Sequence, residues 1–190
     1  AGNDTVTLET IAGNTTVNTA AGSDTVNVRT IDAATTVNTG GDADTINVGS
    51  KAPATGGNVN DIAAVLTING DGDADSLNVD DTGDTAGNTG NLTATELTGL
   101  GMTGKIVYGT VEALTIGLGS GDDTFTVEST HAGTTELNTN AGNDTVTLET
   151  IAGNTTVNTA AGSDTVNIRT IAAATTVNTG DDADTVNVGS

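Results

Sequence analysis

The chain has no cysteine, no tryptophan, one proline, one tyrosine and one phenylalanine in 190 residues. Without cysteine, neither a disulfide framework nor a thiolate metal site can form. With Tyr108 and Phe125 as the whole aromatic complement, any interior has to be thin and aliphatic. Cations are also scarce. Arg29, Lys51, Lys105 and Arg169 stand against 25 acidic side chains, for a net charge of −21. Phosphate binding needs clustered Lys and Arg, so nucleic acid is excluded as a partner and anionic membrane surfaces are disfavoured. No run approaches the roughly 20 apolar residues of a membrane-spanning helix. The charge suits a protein loaded with cations or kept soluble by self-repulsion.

What the chain has is repetition. Residues 141–190 repeat residues 1–50 except that Val28, Asp32, Gly41 and Ile46 become Ile168, Ala172, Asp181 and Val186. Inside each copy runs a beat of 20, as AGNDTVTL at 1–8, AGSDTVNV at 21–28 and GDADTINV at 41–48. Periods near 20 belong to solenoids, whose coils cannot bury an apolar face alone and must stack. The expectation is a single continuous stack over 1–190, with 1–140 one superrepeat and 141–190 the start of the next. The whole reads as a piece of a longer tandem array.

Each beat holds two short segments that alternate polar and aliphatic residues, the signature of a half-buried strand. The first follows an aspartate, as in Thr5–Leu8, Thr25–Val28 and Thr45–Val48, and the second is TTVNT at 15–19 and 35–39. First strands continue at 76–79, 105–109, 124–127, 145–148, 165–168 and 185–188, and second strands at 67–69, 92–98, 113–117 and 134–139. The fold expected is all-β, a right-handed parallel β-solenoid with two strands per 20-residue coil and six coils per 140 residues. Two segments rich in Gly, Asn and Asp, 51–63 and 80–91, read as surface excursions.

The aspartate before each first strand carries the chemistry. Stacking is expected to set Asp4, Asp24, Asp44, Asp75, Asp123, Asp144, Asp164 and Asp184 along one edge, one coil or about 4.8 Å apart. Unit charges at that spacing repel by roughly 3 kcal/mol at an effective dielectric of 20. A cation between coils would relieve this, and calcium, a hard ion taking oxygen ligands from flexible loops, suits the site. A plain turn former is the competing explanation, but asparagine would serve there without repulsion, and this chain uses it freely elsewhere. Asp42, Asp73, Asp122 and Asp182, beside the ladder positions, join the candidate ligands.

The pattern G-x-D-T-V at Gly2–Val6, Gly22–Val26 and Gly142–Val146, with Gly119-Ser120-Gly121-Asp122-Asp123-Thr124-Phe125, resembles the haemolysin-type calcium-binding nonapeptide GGxGxDxUx of RTX parallel β-rolls. The resemblance implies Ca²⁺ shared between successive turns by aspartate side chains and loop carbonyls, here those of Gly2, Gly22, Gly121, Gly142 and Gly162. It also implies a secreted, extracellular or cell-surface location, as a segment of a giant bacterial surface protein or adhesin. The chain departs from the family pattern in often losing the leading glycine pair, and in carrying Gly13-Asn14-Thr15-Thr16-Val17 on the opposite edge. Calcium is therefore expected on one edge only, with a Thr and Asn ladder closing the other.

The remaining signals are weaker. Asp71-Gly72-Asp73-Ala74-Asp75 opens like an EF-hand loop, but its twelfth position is Thr82 and no helices flank it. Asp80, Asp81 and Asp84 read as a solvated acidic loop. Glu9 with Arg29, and Glu149 with Arg169, are expected to meet as surface ion pairs. His131 reads as a surface residue in a turn. Lys51 and Lys105 lie in irregular regions, so no lyase-like grouping forms and no enzyme is expected. The function expected is a calcium-stabilised stiff spacer, adhesin stalk or surface fibre, with self-association into fibres possible. The alternative is an ice-binding or other ligand-recognition surface made of outward Thr and Asn ladders.

Overall fold

A computed structural model describes residues 2–189. Among them there is no helix, and 18 short strands account for the regular structure. They are β1 (Thr5–Leu8), β2 (Thr15–Asn18), β3 (Thr25–Val28), β4 (Thr35–Asn38), β5 (Thr45–Val48) and β6 (Val65–Asn69). There follow β7 (Ser76–Asp80), β8 (Thr89–Leu92), β9 (Glu96–Gly99), β10 (Lys105–Gly109), β11 (Ala113–Gly117) and β12 (Thr124–Val127). The last six are β13 (Thr134–Asn138), β14 (Thr145–Ile151), β15 (Asn154–Asn158), β16 (Thr165–Ile171), β17 (Thr175–Asn178) and β18 (Thr185–Val188).

Alternation decides which way each side chain faces. In β5, Ile46 and Val48 are buried while Thr45 and Asn47 lie on the outer side. In the TTVN strands the first threonine also turns inward: Thr35 and Thr155 are buried, and each hydroxyl donates to a carbonyl two residues back, Ala33 and Gly153, at 3.0 Å. A buried hydroxyl with such a local acceptor carries little desolvation cost.

The strands form two sheets. One has eight strands in the order β1-β3-β5-β7-β11-β13-β15-β17, and the other has ten in the order β2-β4-β6-β10-β9-β8-β12-β14-β16-β18. Pairing is parallel and in register with the repeat, Thr5 beside Thr25 beside Thr45, except that β9 runs antiparallel to both its neighbours. The repeated spacing is that of a β-solenoid-like stack. A continuous aliphatic cluster from Leu8 to Ile168 lies inside it, with Phe125 and Tyr108 as its aromatic members.

The centre of the chain departs from simple alternation. The single strand expected at 92–98 is instead two, β8 and β9, folded antiparallel, and β10 remains in the same sheet beside β6. Left-handed backbone at Gly99, Leu100 and Gly101 (φ 84, 53 and 75°) reverses the chain between β9 and β10. Such conformations favour glycine and cannot continue a strand. The phenolic hydroxyl of Tyr108 donates to the Thr93 carbonyl at 2.6 Å and pins the meander.

Three consecutive strands in one sheet have a consequence for the whole array. Residues 1–140 hold thirteen strands, β1 to β13, rather than the twelve of six two-strand coils. An odd count exchanges the roles of the sheets. Thr5 of β1 lies in the eight-stranded sheet, and its duplicate Thr145 of β14 lies in the ten-stranded one.

The excursions are less superficial than their composition suggests. Between β5 and β6, Val59 and Ile62 are fully buried and Ile62 bridges Ile31, so this segment plugs the stack. The second expected excursion narrows to 81–88, because Asp80 ends β7 and Thr89 begins β8. The two segments touch, with the Gly83 N–H donating to the Gly57 carbonyl at 2.6 Å.

Two carboxylate ladders as the candidate cation-binding site

Each pre-strand aspartate sits in the turn that carries the chain from one sheet to the other. Its carbonyl accepts the N–H of the residue opening the next strand in the stack, as in Thr25 to Asp4 and Thr145 to Asp123, both at 2.8 Å. Its side chain reaches back along the stack. Oδ1 of Asp24 accepts the Asp4 N–H at 2.7 Å, Oδ1 of Asp44 accepts that of Asp24 at 2.7 Å, and Oδ1 of Asp75 accepts that of Asp44 at 2.9 Å. Glu112 ends this ladder by accepting the Asp75 N–H at 2.8 Å.

A second ladder starts at Asn88, whose N–H donates to Oδ1 of Asp123 at 2.7 Å. It continues from Asp123 to Asp144 and from Asp144 to Asp164, each at 2.8 Å, and from Asp164 to Asp184 at 3.0 Å. The eight aspartates therefore do not share one edge. Asp4, Asp24, Asp44 and Asp75 lie where the chain enters the eight-stranded sheet, and Asp123, Asp144, Asp164 and Asp184 where it enters the ten-stranded sheet. The β8–β9–β10 meander, which no 20-residue beat announces, moves the ladder from one edge to the other.

One oxygen of each interior carboxylate is left over. Oδ2 of Asp24, Asp44, Asp75, Asp123, Asp144 and Asp164 is buried and has no hydrogen-bond partner. A buried carboxylate oxygen without a partner is costly, and stacking repeats that cost along each edge. The protonation equilibria respond. Burial pushes Asp75 up to about 6, with Asp44, Glu112 and Asp73 adding like charge against the relief of the Asp44 N–H. Burial likewise raises Asp123 and Asp144 above the ordinary carboxylate range, with neighbouring carboxylates adding to it.

An outer row flanks the ladders. Asp42 accepts the Gly22 N–H and Asp73 accepts the Asp42 N–H, both at 3.0 Å, while Asp122 accepts the Asn143 N–H at 2.7 Å. Asp42, Asp73 and Asp182 share left-handed backbone (φ 77, 76 and 76°), and all four carboxylates of this row are exposed. The glycines have a packing explanation that the sequence motif does not reveal. Gly22 has φ +120°, and a Cβ there would stand 2.5 Å from the Gly2 carbonyl oxygen. Gly142 and Gly162 press in the same way on the carbonyls of Gly121 and Gly142.

The donor set is hard oxygen throughout, which matches a cation such as calcium and no soft metal. Among the described residues, no three His, Cys, Asp or Glu side chains converge on one point. A cation here would be held between carboxylates of successive coils, with backbone carbonyls completing its shell.

Three further groups escape sequence reading. Glu112 takes the aspartate place at the end of the first ladder, and only its position before the β11 alternation hints at this. Asn88 opens the second ladder by main-chain donation, which leaves no side-chain signature. Asp81 is fully buried rather than solvated, because the 51–63 segment folds over it and the Val59 N–H donates to its Oδ1 at 3.0 Å. Burial, with Asp84, Asp123 and Asp80 nearby, pushes it up to about 7. His131 is half-buried, edge-on to Tyr108 with ring centroids 5.9 Å apart, and both its ring nitrogens lack partners.

The expected ion pairs form, Arg29 to Glu9 at 3.3 Å and Arg169 to Glu149 at 3.4 Å, and Lys105 meets Glu96 at 2.7 Å. Outward asparagines hydrogen-bond along the stack, with Asn47 donating to Asn27 at 3.0 Å and Asn38 to Asn18 at 2.7 Å. Compared with models of known families, with curated proteins and with solved structures, the chain finds no match.

Proposed function

We propose that this chain is a calcium-stabilised structural repeat of a long extracellular bacterial protein, built as a right-handed β-solenoid and acting as a stiff spacer, adhesin stalk or surface fibre. The observation that carries this reading is the row of buried carboxylate oxygens without partners, repeated at every interior rung of both ladders. Asp24, Asp44 and Asp75 on one edge, and Asp123, Asp144 and Asp164 on the other, would hold the ions. Bound calcium supplies positive charge between coils. The chain's own residues do the rest, with each Oδ1 fixed on the main chain of its neighbour so that Oδ2 stays where charge accumulates. Asp42, Asp73, Asp122 and Asp182 enrich the local negative potential. The reading assigns no catalytic step.

The test is metal linkage. An ion that binds the folded chain and not the unfolded one adds RT ln(1 + [L]/Kd) per site, so the melting temperature should climb with calcium and fall in chelator. An identical β signal and melting point in excess chelator overturns the calcium reading.

A second reading is favoured by the register of the outward rows, in which Thr16 lies beside Thr36 and Thr156 beside Thr176. Such rows could act as an ice-binding or ligand-recognition face. Thermal hysteresis measured with calcium present tests it, and an absence of hysteresis removes it.

A further inference from the structure

The outer face of the eight-stranded sheet carries a groove of about 340 Å³ between β5 and β13. It lies mid-stack, with β1 and β3 beyond it on one side and β15 and β17 on the other. The volume falls at the lower end of small-ligand sites, roughly 300–1,000 Å³. Because β5, β7, β11 and β13 are successive neighbours, the floor spans three strand spacings, about 14 Å.

The outward asparagine rows break at this place. Asn78 donates to Asn47, and Asn47 to Asn27, both at 3.0 Å. The next position of that row, the register partner of Asn78 in β11, is Thr115. A second row arrives from the other side, with Asn178 donating to Asn158 and Asn158 to Asn138, both at 2.7 Å. Its next position is Gly117. A side chain there would displace Thr82, whose Cγ2 lies 2.7 Å from where a Cβ would stand. The first row therefore ends on the amide oxygen of Asn78 and the second on the amide nitrogen of Asn138. Both residues line the groove, beside Thr115.

Apolar surface completes the site. Ala52, Pro53 and Ala54 of the excursion line it, and Arg29 fixes this segment by donating from Nε to the Ala52 carbonyl at 2.8 Å. Thr82 ties the segment's far end, accepting the Gly56 N–H at 2.9 Å and donating to Oδ1 of Asp80. Asp80 is the one carboxylate in the lining, and its Oδ2 is also engaged, by the Gly57 N–H at 2.7 Å.

These features select a ligand by exclusion. No Lys or Arg lines the groove, and a net charge of −21 repels anions. A cation meets no carboxylate oxygen that is not already engaged. A wholly apolar molecule would strand the Asn78 oxygen and the Asn138 amide. What satisfies the site is a neutral molecule with hydroxyls along one edge, donating to Asn78 and accepting from Asn138, and a C–H face for Pro53. We propose that the groove binds a neutral pyranose sugar where the two asparagine rows are interrupted. The site uses no bound cation and none of the regular threonine rows, so it stands or falls apart from both readings above.

NMR titration of the isotope-labelled chain with methyl glycosides of glucose, galactose, mannose and N-acetylglucosamine tests this. At least one should give saturable shifts of the Asn78 and Asn138 side-chain amides and of the Ala52 and Ala54 main-chain N–H groups. Asn38 and Asn69, in an unbroken row of the other sheet, should not move. Sorbitol, an acyclic polyol with the same hydroxyl chemistry, should bind more weakly. Thr115→Asn supplies the amide that continues the first row, and should weaken binding about fivefold to tenfold by occupying the Asn78 oxygen. Asn138→Ala removes the facing donor and should weaken binding by a similar factor. Both positions are half-buried on the outer face, so the β signal should be kept. The proposal is overturned if no glycoside gives saturable shifts, if Asn38 and Asn69 shift equally, if sorbitol binds as tightly, or if both variants bind like the parent.

Discussion

The Asp144 N–H donates to Oδ1 of Asp164 at 2.8 Å, and Oδ2 of that same carboxylate is buried with no partner. The two oxygens thus have different work. Oδ1 satisfies a main-chain donor that the turn would otherwise strand, which an asparagine carbonyl could do equally well. Only Oδ2 distinguishes aspartate from asparagine at this place, and in the metal-free chain it is a liability.

That division predicts a change of sign. Asp164→Asn keeps the acceptor for Asp144 and replaces the unpartnered oxygen by an amide that can donate to the adjacent carboxylate. In excess chelator the variant should melt higher than the parent, by about 1–3 kcal/mol of relieved burial cost. In saturating calcium it should melt lower, because the ion loses a charged ligand. Combining Asp24→Asn and Asp44→Asn should repeat the pattern on the other edge. Thermal melts in both buffers check it, and destabilisation of equal size in each would mark the aspartates as turn formers alone.

Protonation offers the same relief without mutation. The folded chain holds Asp75 at about 6 and Asp81 at about 7, against 3.8 for a free carboxylate. Between these values the folded state binds more protons than the unfolded state, so stability falls as pH rises through about 4 to 7. In chelator, the melting temperature should be higher at pH 5 than at pH 8. Asp84, lowered chiefly by the Ala86 N–H, has the opposite sign but acts below this window. Asp81→Asn should flatten the profile, and a chelated parent that gains stability between pH 5 and pH 8 would contradict the assignment.

The beat of 20 made the two-sheet architecture legible, because alternating TVNV and TTVN segments have one way to bury their aliphatic side chains. It also located every aspartate of the ladders. The edge on which each lies was not legible. That depends on whether 89–99 holds one strand or two, and the tight turn at 93–95, closed by the Thr93 N–H on the Glu96 carbonyl at 2.8 Å, splits it into β8 and β9 before the left-handed Gly99-Leu100-Gly101 turns the chain into β10. Asp81 was hidden for a related reason. Its burial comes from Val59 and Ile62, about 20 residues earlier, in a segment whose Gly and Asn content describes only its flexibility.

The glycine two residues before five of the eight ladder aspartates tests packing separately from ligation. Gly162 has φ +128°, and a Cβ there would fall on the Gly142 carbonyl oxygen. Gly162→Ala should destabilise the chain by about 1–3 kcal/mol with or without calcium. Gly109, at the end of β10 inside the stack, has no atom within 4 Å of a Cβ position, and Gly109→Ala should change the melting temperature little. Equal effects of the two substitutions would show that the close approach is not sustained in solution.

The one phenylalanine provides a further test, since its space is set by a glycine 35 positions away in sequence. Phe125 in β12 is the register partner of Gly90 in β8. A Cβ on Gly90 would stand 2.5 Å from Cδ2 of Phe125 and 2.8 Å from Cδ2 of Leu100, so ring and glycine fill one volume between them. Phe125→Ala should cost about 3–5 kcal/mol, as expected for emptying a buried aromatic site. Gly90→Ala alone should cost about 1–3 kcal/mol through overpacking. Phe125→Leu with Gly90→Ala restores volume where the ring is lost, and the pair should be less destabilised than the two single changes summed. Denaturant melts of Phe125→Leu alone, Gly90→Ala alone and the pair close the cycle. Strict additivity would mean that β8 does not lie under β12, and the transfer of the carboxylate ladder between edges would fall with it.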